Sequence, residues 1–169
     1  MNLEGRNIIV TGAGQGIGYA VARLIVDLGG KLIVVDMQGD KVNALADSLG
    51  AGSAEAPVGS VADPSFVQAM VDQVAQKHGA IHGLVNHAGI VRAAMINKML
   101  AATWQQVIDV NLSGVFIACG RSAATCMSGS RRVTPARLRS SIFRRMPAAA
   151  AASGRSTMAQ RNPGCWASP

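Results

Sequence analysis

The chain has 169 residues and a formal charge of +7, a size for one domain and a balance that first raises nucleic-acid binding. Apolar residues make up 49%, enough for a core, while aromatics at 4% are too few for base-stacking platforms. No basic stretch leads into an apolar one at Met1, no apolar run approaches the roughly 20 residues of a membrane span, and Cys119, Cys126 and Cys165 form no C-x-x-C pair. The expectation is therefore no signal peptide, no membrane, no metal and a reducing cytoplasm.

In chain order, Asn7 to Val10 is a short apolar strand followed at once by Thr11-Gly-Ala-Gly-Gln-Gly-Ile-Gly18. Val21, Leu24, Ile25 and Leu28 then fall at helical spacing, and Gly29-Gly30 stops that helix. Lys31 to Asp36 is a second strand, apolar throughout as buried parallel strands are. Residues 40–49 read as a helix, and Ala56 to Val58 as a weak third strand. Pro64 suits the first turn of the next helix, which carries Phe66, Met70, Val71 and Val74 and runs to about His78. Ile81 to Asn86 is a fourth strand, leading into His87-Ala-Gly89. A long helix is expected from about Ala102, with Trp104, Val107, Ile108, Asn111, Leu112 and Val115 on it. Strands alternating with helices predict an α/β doubly wound parallel sheet.

Gly12, Gly16 and Gly18 sit between a strand and a helix. Glycine permits the tight turn and a close approach of pyrophosphate to the backbone, and the helix N-terminus adds free N–H groups and a positive dipole end. Glycines also end strands and start helices without binding anything; the strand–turn–helix context favours the phosphate reading. Asp36 ends the second strand 18 residues after Gly18, where an acid can bind the adenosine ribose hydroxyls and repel a 2′-phosphate. A solvated strand-end Asp is the plainer account of it. Neither Gln15 nor Met37 offers a cation, so NAD is favoured over NADP as cofactor.

From about Asn2 to Phe116 the sequence resembles the short-chain dehydrogenase/reductase family of Rossmann enzymes. Thr11-Gly12-x-x-x-Gly16-x-Gly18 matches its cofactor motif, which brings Gln15 and Ile17 into the candidate cofactor site. The resemblance implies that Asp63 contacts the adenine and that Asn86-His-Ala88-Gly89, with His87 replacing a usual Asn, supports the sheet beside the cofactor. Val110-Asn111-Leu112 resembles the segment whose Asn joins the catalytic tetrad through a water. The same resemblance implies hydride transfer between a nicotinamide and a carbinol or carbonyl carbon, a small-molecule hydroxyl or carbonyl substrate, and homo-oligomers; 3-oxoacyl carrier-protein reductases share these motifs. The implied sheet is the N-terminal Rossmann half, four strands ordered 3-2-1-4. His78 and His82 have no place in the motifs and are expected on the surface or in loops.

The remaining tetrad members are missing. The family uses a Tyr as general acid/base, a Lys four residues on and a Ser on the substrate oxygen, but the single Tyr here is Tyr19, and no Lys follows Lys98. Asn111 is the one catalytic candidate left. The chain also divides by charge: residues 1–119 carry nine acids against seven Lys or Arg, while residues 120–169 carry nine Arg, no Lys and no acid. In that second part Ala, Arg, Ser, Gly and Pro fill 35 of 50 positions. Nine Arg could neutralise phosphates, but they lie scattered among Ala and Ser with no helical face, so no nucleic-acid partner is expected.

The composition fits GC-rich coding DNA read out of register. Taking the last base of each codon with the first two of the next, Ser140 to Pro147 permits Val-Asn-Ile-Ser-Ser-Asp-Ala-Gly. From Thr157 onward the same frame permits Tyr-Gly-Ala-Ala-Lys-Ser-Gly-Val-Leu-Gly-Ile-Thr. The second Ser arises at Arg144/Arg145 and the Tyr at Thr157/Met158, 13 codons apart, the separation that the family uses. The expectation is an NAD-binding portion over 1–119, a frameshift between about Ala118 and Val133, and a basic, largely disordered and truncating tail over 120–169.

Overall fold

The structure, a computed structural model, describes residues 2–50 and 52–128. The segments around Ser140 and Thr157, and the disorder expected of the tail, lie outside the described residues.

Four parallel strands form one sheet in the order β3-β2-β1-β4, as the alternation of strand and helix predicts. They are β1 (Asn7–Thr11), β2 (Lys31–Val35), β3 (Ala54–Glu55) and β4 (Gly83–Asn86). β1 is central: Val10 sits level with Val34 of β2 on one side and with Val85 of β4 on the other. All five residues of β1 and four of the five in β2 are buried. That follows from continuous apolar runs, because alternate side chains must be covered on both faces.

The helices provide the cover. Helix α1 (Gly16–Asp27) and helix α2 (Gly39–Ser48) bring Ala22, Ile25, Val42 and Leu45 against Ile8, Val10, Leu32 and Val34. On the other face, α3 (Pro64–His78) lays Val67, Met70, Val71 and Val74, a stripe at helical spacing, over Ile9, Ile33 and Val35. Ala118 joins this second cluster from α5 (Gly114–Ser128). Local chemistry sets the ends. Gly29 stops the chain after α1 at φ +83°, and Asp63 caps α3 by accepting the Ser65 N–H at 2.8 Å, with Pro64 in the first turn.

Several expectations need correction. The third strand is Ala54–Glu55, not Ala56 to Val58; Pro57 has no N–H for a ladder, and only a single bridge between Asp36 and Val58 follows it. The fourth strand begins at Gly83, two residues later than expected. The long helix is α4 (Ala101–Ile108), a π-helical turn (Asp109–Ser113) and α5 in succession. α5 runs past Cys119 to Ser128. By length and composition alone the helical stretch Ala101–Thr125 could also cross a membrane, though it holds no continuous apolar run of that length. Its Ala118 and Ser122, one turn apart, are nonetheless buried, and Ala118 packs with α3 in the second core cluster. His82 lies in an exposed loop as expected, where its Nδ1 accepts the Asn7 N–H at 3.0 Å, whereas His78 ends α3 part-buried, its Nε2 meeting Glu55 Oε1 at 2.6 Å.

Candidate functional site

At the carboxyl ends of β1, β2 and β4 the chain forms a cleft. Open α/β sheets place ligand sites at this edge, where connections leave in opposite directions. One wall is Gly12 and Gln15, the far end is Asp36, Met37 and Gln38, and the other wall is His87 to Ile90. Gly59, Ser60, Val61 and Val110 complete it.

The glycines are required by contact. Gly12 has φ +69°, and a Cβ there would lie 2.6 Å from the Ala88 backbone nitrogen. A Cβ on Gly18 would run into the Gly12 carbonyl oxygen. Gly16, at φ +58°, would meet nothing within 4 Å, so this point of the turn faces open space. No side chain caps the start of α1. Its first N–H groups therefore have no intrahelical acceptor and form a cradle for an anion. A dinucleotide pyrophosphate fits such a cradle.

Thr11 fixes the wall opposite. Its Oγ1 accepts the His87 and Ala88 N–H groups at 3.1 and 3.2 Å and lies 3.4 Å from the Val85 carbonyl oxygen. Asn111 holds the same wall further out: its Oδ1 accepts the Ile90 N–H at 2.8 Å and its Nδ2 donates to the Ile90 carbonyl at 2.9 Å. The amide of the expected catalytic Asn is thus committed to the backbone of Ile90.

Asp36 holds the far end. Its Oδ2 accepts the Gly14 N–H and its Oδ1 the Gln38 N–H, each at 3.0 Å, so the carboxylate ties the glycine turn to the end of β2. Gln15 is engaged by Lys41, whose Nζ donates to Oε1 at 2.7 Å.

The candidates divide by position. Gly12, Gln15, Asp36, Met37, Ala88 and Gly89 line the cleft. Gly16 and Gly18 shape its turn without lining it, and Ile17 projects outward, 69% exposed. Asn86 donates to Cys119 Sγ at 3.2 Å behind the wall, and Asp63, whose Oδ1 caps α3, is not among the residues that line the cleft. The residues that sequence reasoning missed are Val35, Gln38, the turn Gly59 to Val61, His87, Ile90, Val110 and, behind Gln15, Lys41. The turn Val58-Gly-Ser60 follows a two-residue strand and has no periodicity to flag it; only its distance beyond β2 could have done so. Among the described residues no group of three His, Cys, Asp or Glu side chains could hold a metal ion.

Comparison with known proteins agrees with this architecture. A family profile described as short chain dehydrogenase matches residues 6–133. D-threitol dehydrogenase of Mycolicibacterium smegmatis is 38% identical over 119 residues, which cover 69% of this chain and 46% of that one. The 3-oxoacyl-(acyl-carrier-protein) reductase FabG of Thermotoga maritima is 39% identical over 119 residues, 69% of this chain and 48% of that one. Among solved structures, a metagenomic short-chain oxidoreductase in complex with NADP superimposes with a TM-score of 0.71 at 28% identity, covering 75% of this chain and 58% of that one. A short-chain dehydrogenase/reductase from Brucella melitensis gives 0.70 at 31% identity, covering 74% and 55%. The chain spans about half the length of the curated relatives it matches.

Proposed function

The chain belongs to the short chain dehydrogenase family, and from that premise we propose that it is the nucleotide-binding portion of an NAD-dependent oxidoreductase and binds the dinucleotide without turning substrate over. The observation that carries the reading is Asp36, a carboxylate at the end of a glycine-built cleft on β2. There it would accept the adenosine ribose hydroxyls and oppose a 2′-phosphate, which favours NAD. The first N–H groups of α1 would hold the pyrophosphate, and Ala88 and Gly89 would flank the cofactor on the β4 side. Bound NAD supplies a hydride acceptor; the parent reaction is the interconversion of a secondary alcohol and a ketone, with 3-oxoacyl thioesters one substrate class among the relatives. A soluble, cytoplasmic location belongs to the same reading.

The lack of turnover rests on the sequence. Tyr19, the single Tyr, lies on α1, and no Tyr-x-x-x-Lys occurs in the 169 residues. Without a phenol to give and take the carbinol proton, oxyanion and proton would have to be handled by water. We attribute the loss to a shift of reading frame between about Ala118 and Val133. The family profile ends at residue 133, at the edge of that window.

Titration of the full chain with NADH, followed by fluorescence, should give saturable binding, and a flat response would sink the cofactor reading. Incubation with NAD and secondary alcohols should produce no NADH above background; enzyme-dependent production would overturn the proposed inactivity. Sequencing the coding DNA should show Tyr-x-x-x-Lys spelled in the neighbouring frame after codon 133, and any other spelling refutes the frameshift.

A further inference from the structure

A second cavity lies apart from the cleft, at the outer edge of the sheet. Strand β3 is two residues long and pairs on one side only, with β2. Glu55 sits level with Ile33 in that pairing, and residues level with one another on neighbouring strands point to the same face. Ile33 belongs to the apolar cluster under α3, so a carboxylate stands on a face that is otherwise apolar. Met70, Gln73 and Val74, neighbours on one side of α3, face it across a space of about 250 Å³. Ile33, Met70 and Val74 are buried and make the cavity apolar inside, while Glu55 and the exposed Gln73 supply its polar groups.

Those polar groups have acceptor capacity to spare. Both partners of Glu55 fall on one oxygen, Lys77 Nζ at 2.9 Å and His78 Nε2 at 2.6 Å from Oε1, and neither partner lines the cavity. Among the described residues Oε2 has no hydrogen-bond partner, and the Gln73 carboxamide has none. We propose that this cavity binds a small primary amine with an apolar body: the ammonium is received by Glu55 Oε2 and the Gln73 carbonyl oxygen, and the body rests on Ile33, Met70 and Val74. An ammonium brings three donors, and a carboxylate offers about four acceptor positions, so Lys77 and His78 leave room for it. Lys77 is 58% exposed, so its charge is screened by water and the carboxylate still attracts a second cation. Burial pushes the Glu55 carboxyl up, but hydrogen bonds from Lys77 and His78 hold it below the ordinary 4.5, so it is ionised at neutral pH. An apolar cavity of about 150 Å³ suffices for benzene, so this one has space for a ring and a one-carbon arm. An acid of the same shape would bring its carboxylate against Glu55 with no cation lining the cavity to offset it.

The test titrates the full chain at pH 7 with benzylamine, benzyl alcohol and benzoate, followed by ligand-observed NMR. Benzylamine should saturate with a Kd on the order of 1 mM, as expected of so small a molecule. Benzyl alcohol should bind about two- to fivefold more weakly, and benzoate should not saturate. Glu55→Gln keeps the shape and an acceptor but removes the charge; it should weaken benzylamine about two- to fivefold and leave benzyl alcohol unchanged. Gln73→Trp, at an exposed position, should obstruct the cavity and weaken both; it carries the test if circular dichroism shows that Glu55→Gln loses the fold. The proposal is overturned if benzylamine does not saturate, if benzoate binds as well as benzylamine, or if a folded Glu55→Gln or Gln73→Trp chain keeps the original benzylamine affinity.

Discussion

The two strands that flank β1 carry the same residue at the same level and live in different surroundings. Val34 of β2 and Val85 of β4 both sit opposite Val10, yet Val34 has no exposed surface, whereas Val85 and every other residue of β4 are only half-buried. β2 lies between two strands, and β4 has no outer neighbour among the described residues. Under the proposed function, the well-packed side is the one that would take adenosine and pyrophosphate, and the thinly covered side the one that would present the substrate.

The strongest way to break the well-packed side is Gly12→Ala. The new Cβ meets backbone of the β4 wall, not a side chain that could turn away, and the residue must also hold φ +69°. The cost should reach about 3 kcal/mol, with loss of NADH binding, in urea unfolding and titration; near-wild-type stability would show that the wall gives way. Next come the matched valines. Val34→Ala should cost about 2–3 kcal/mol and Val85→Ala about half as much, since a half-buried side chain gives up less apolar surface. Equal losses would mean that the β4 side is as well packed as the β2 side. Asp36→Ala should weaken NADH about tenfold, close to 1.4 kcal/mol; unchanged affinity would reduce Asp36 to a clip between Gly14 and Gln38.

The smallest effects are in pH. Burial, with Arg6 adding to it, holds the His82 imidazole below its usual 6.5. Its folded state prefers the neutral ring, whose Nδ1 accepts the Asn7 N–H where β1 meets the approach to β4. That contribution is complete above pH 6.5 and is lost as pH falls through the lower folded value. His82→Asn, which keeps an acceptor and removes the titration, should flatten the dependence of unfolding free energy on pH just below 6.5. On the β3 side, burial pushes the Glu55 carboxyl up, but hydrogen bonds from Lys77 and His78 outweigh it and leave it below the ordinary 4.5. Its contribution is complete above that pH and fades below it, so Glu55→Gln should lessen acid destabilisation only there.

Much of the well-packed side was legible in the sequence. The run Asn7 to Val10 and the glycine turn after it are a local pattern, and Lys31 to Asp36 is too apolar to be anything but a covered strand. The parallel sheet followed from strand and helix alternating, and the order 3-2-1-4 from the family resemblance. What escaped depends on distance in the chain. Lys41 reaches Gln15 across 26 residues, and Thr11 holds His87 and Ala88 across 76 and 77. No spacing rule links such pairs. The edge strand slipped because two residues between a glycine turn and Pro57 leave too little alternation to place. Asp63, tied to adenine by resemblance, also caps α3 through one carboxylate oxygen, a role that Pro64 beside it makes legible.

The π-helical turn at Asp109–Ser113 works as a phase shifter. An α-helix advances about 100° per residue, and a π turn absorbs one residue more than an α turn would. With that extra residue Asn111 meets Ile90 while Ala118 and Ser122, further along the same rod, are turned into the core. Deleting one residue from this segment would straighten the ladder and swing all of α5 by roughly a quarter turn. The cover over Val67 and Val71 would then be exchanged for solvent, so the irregular turn is where one continuous rod is set to serve the cleft wall at one end and the core at the other.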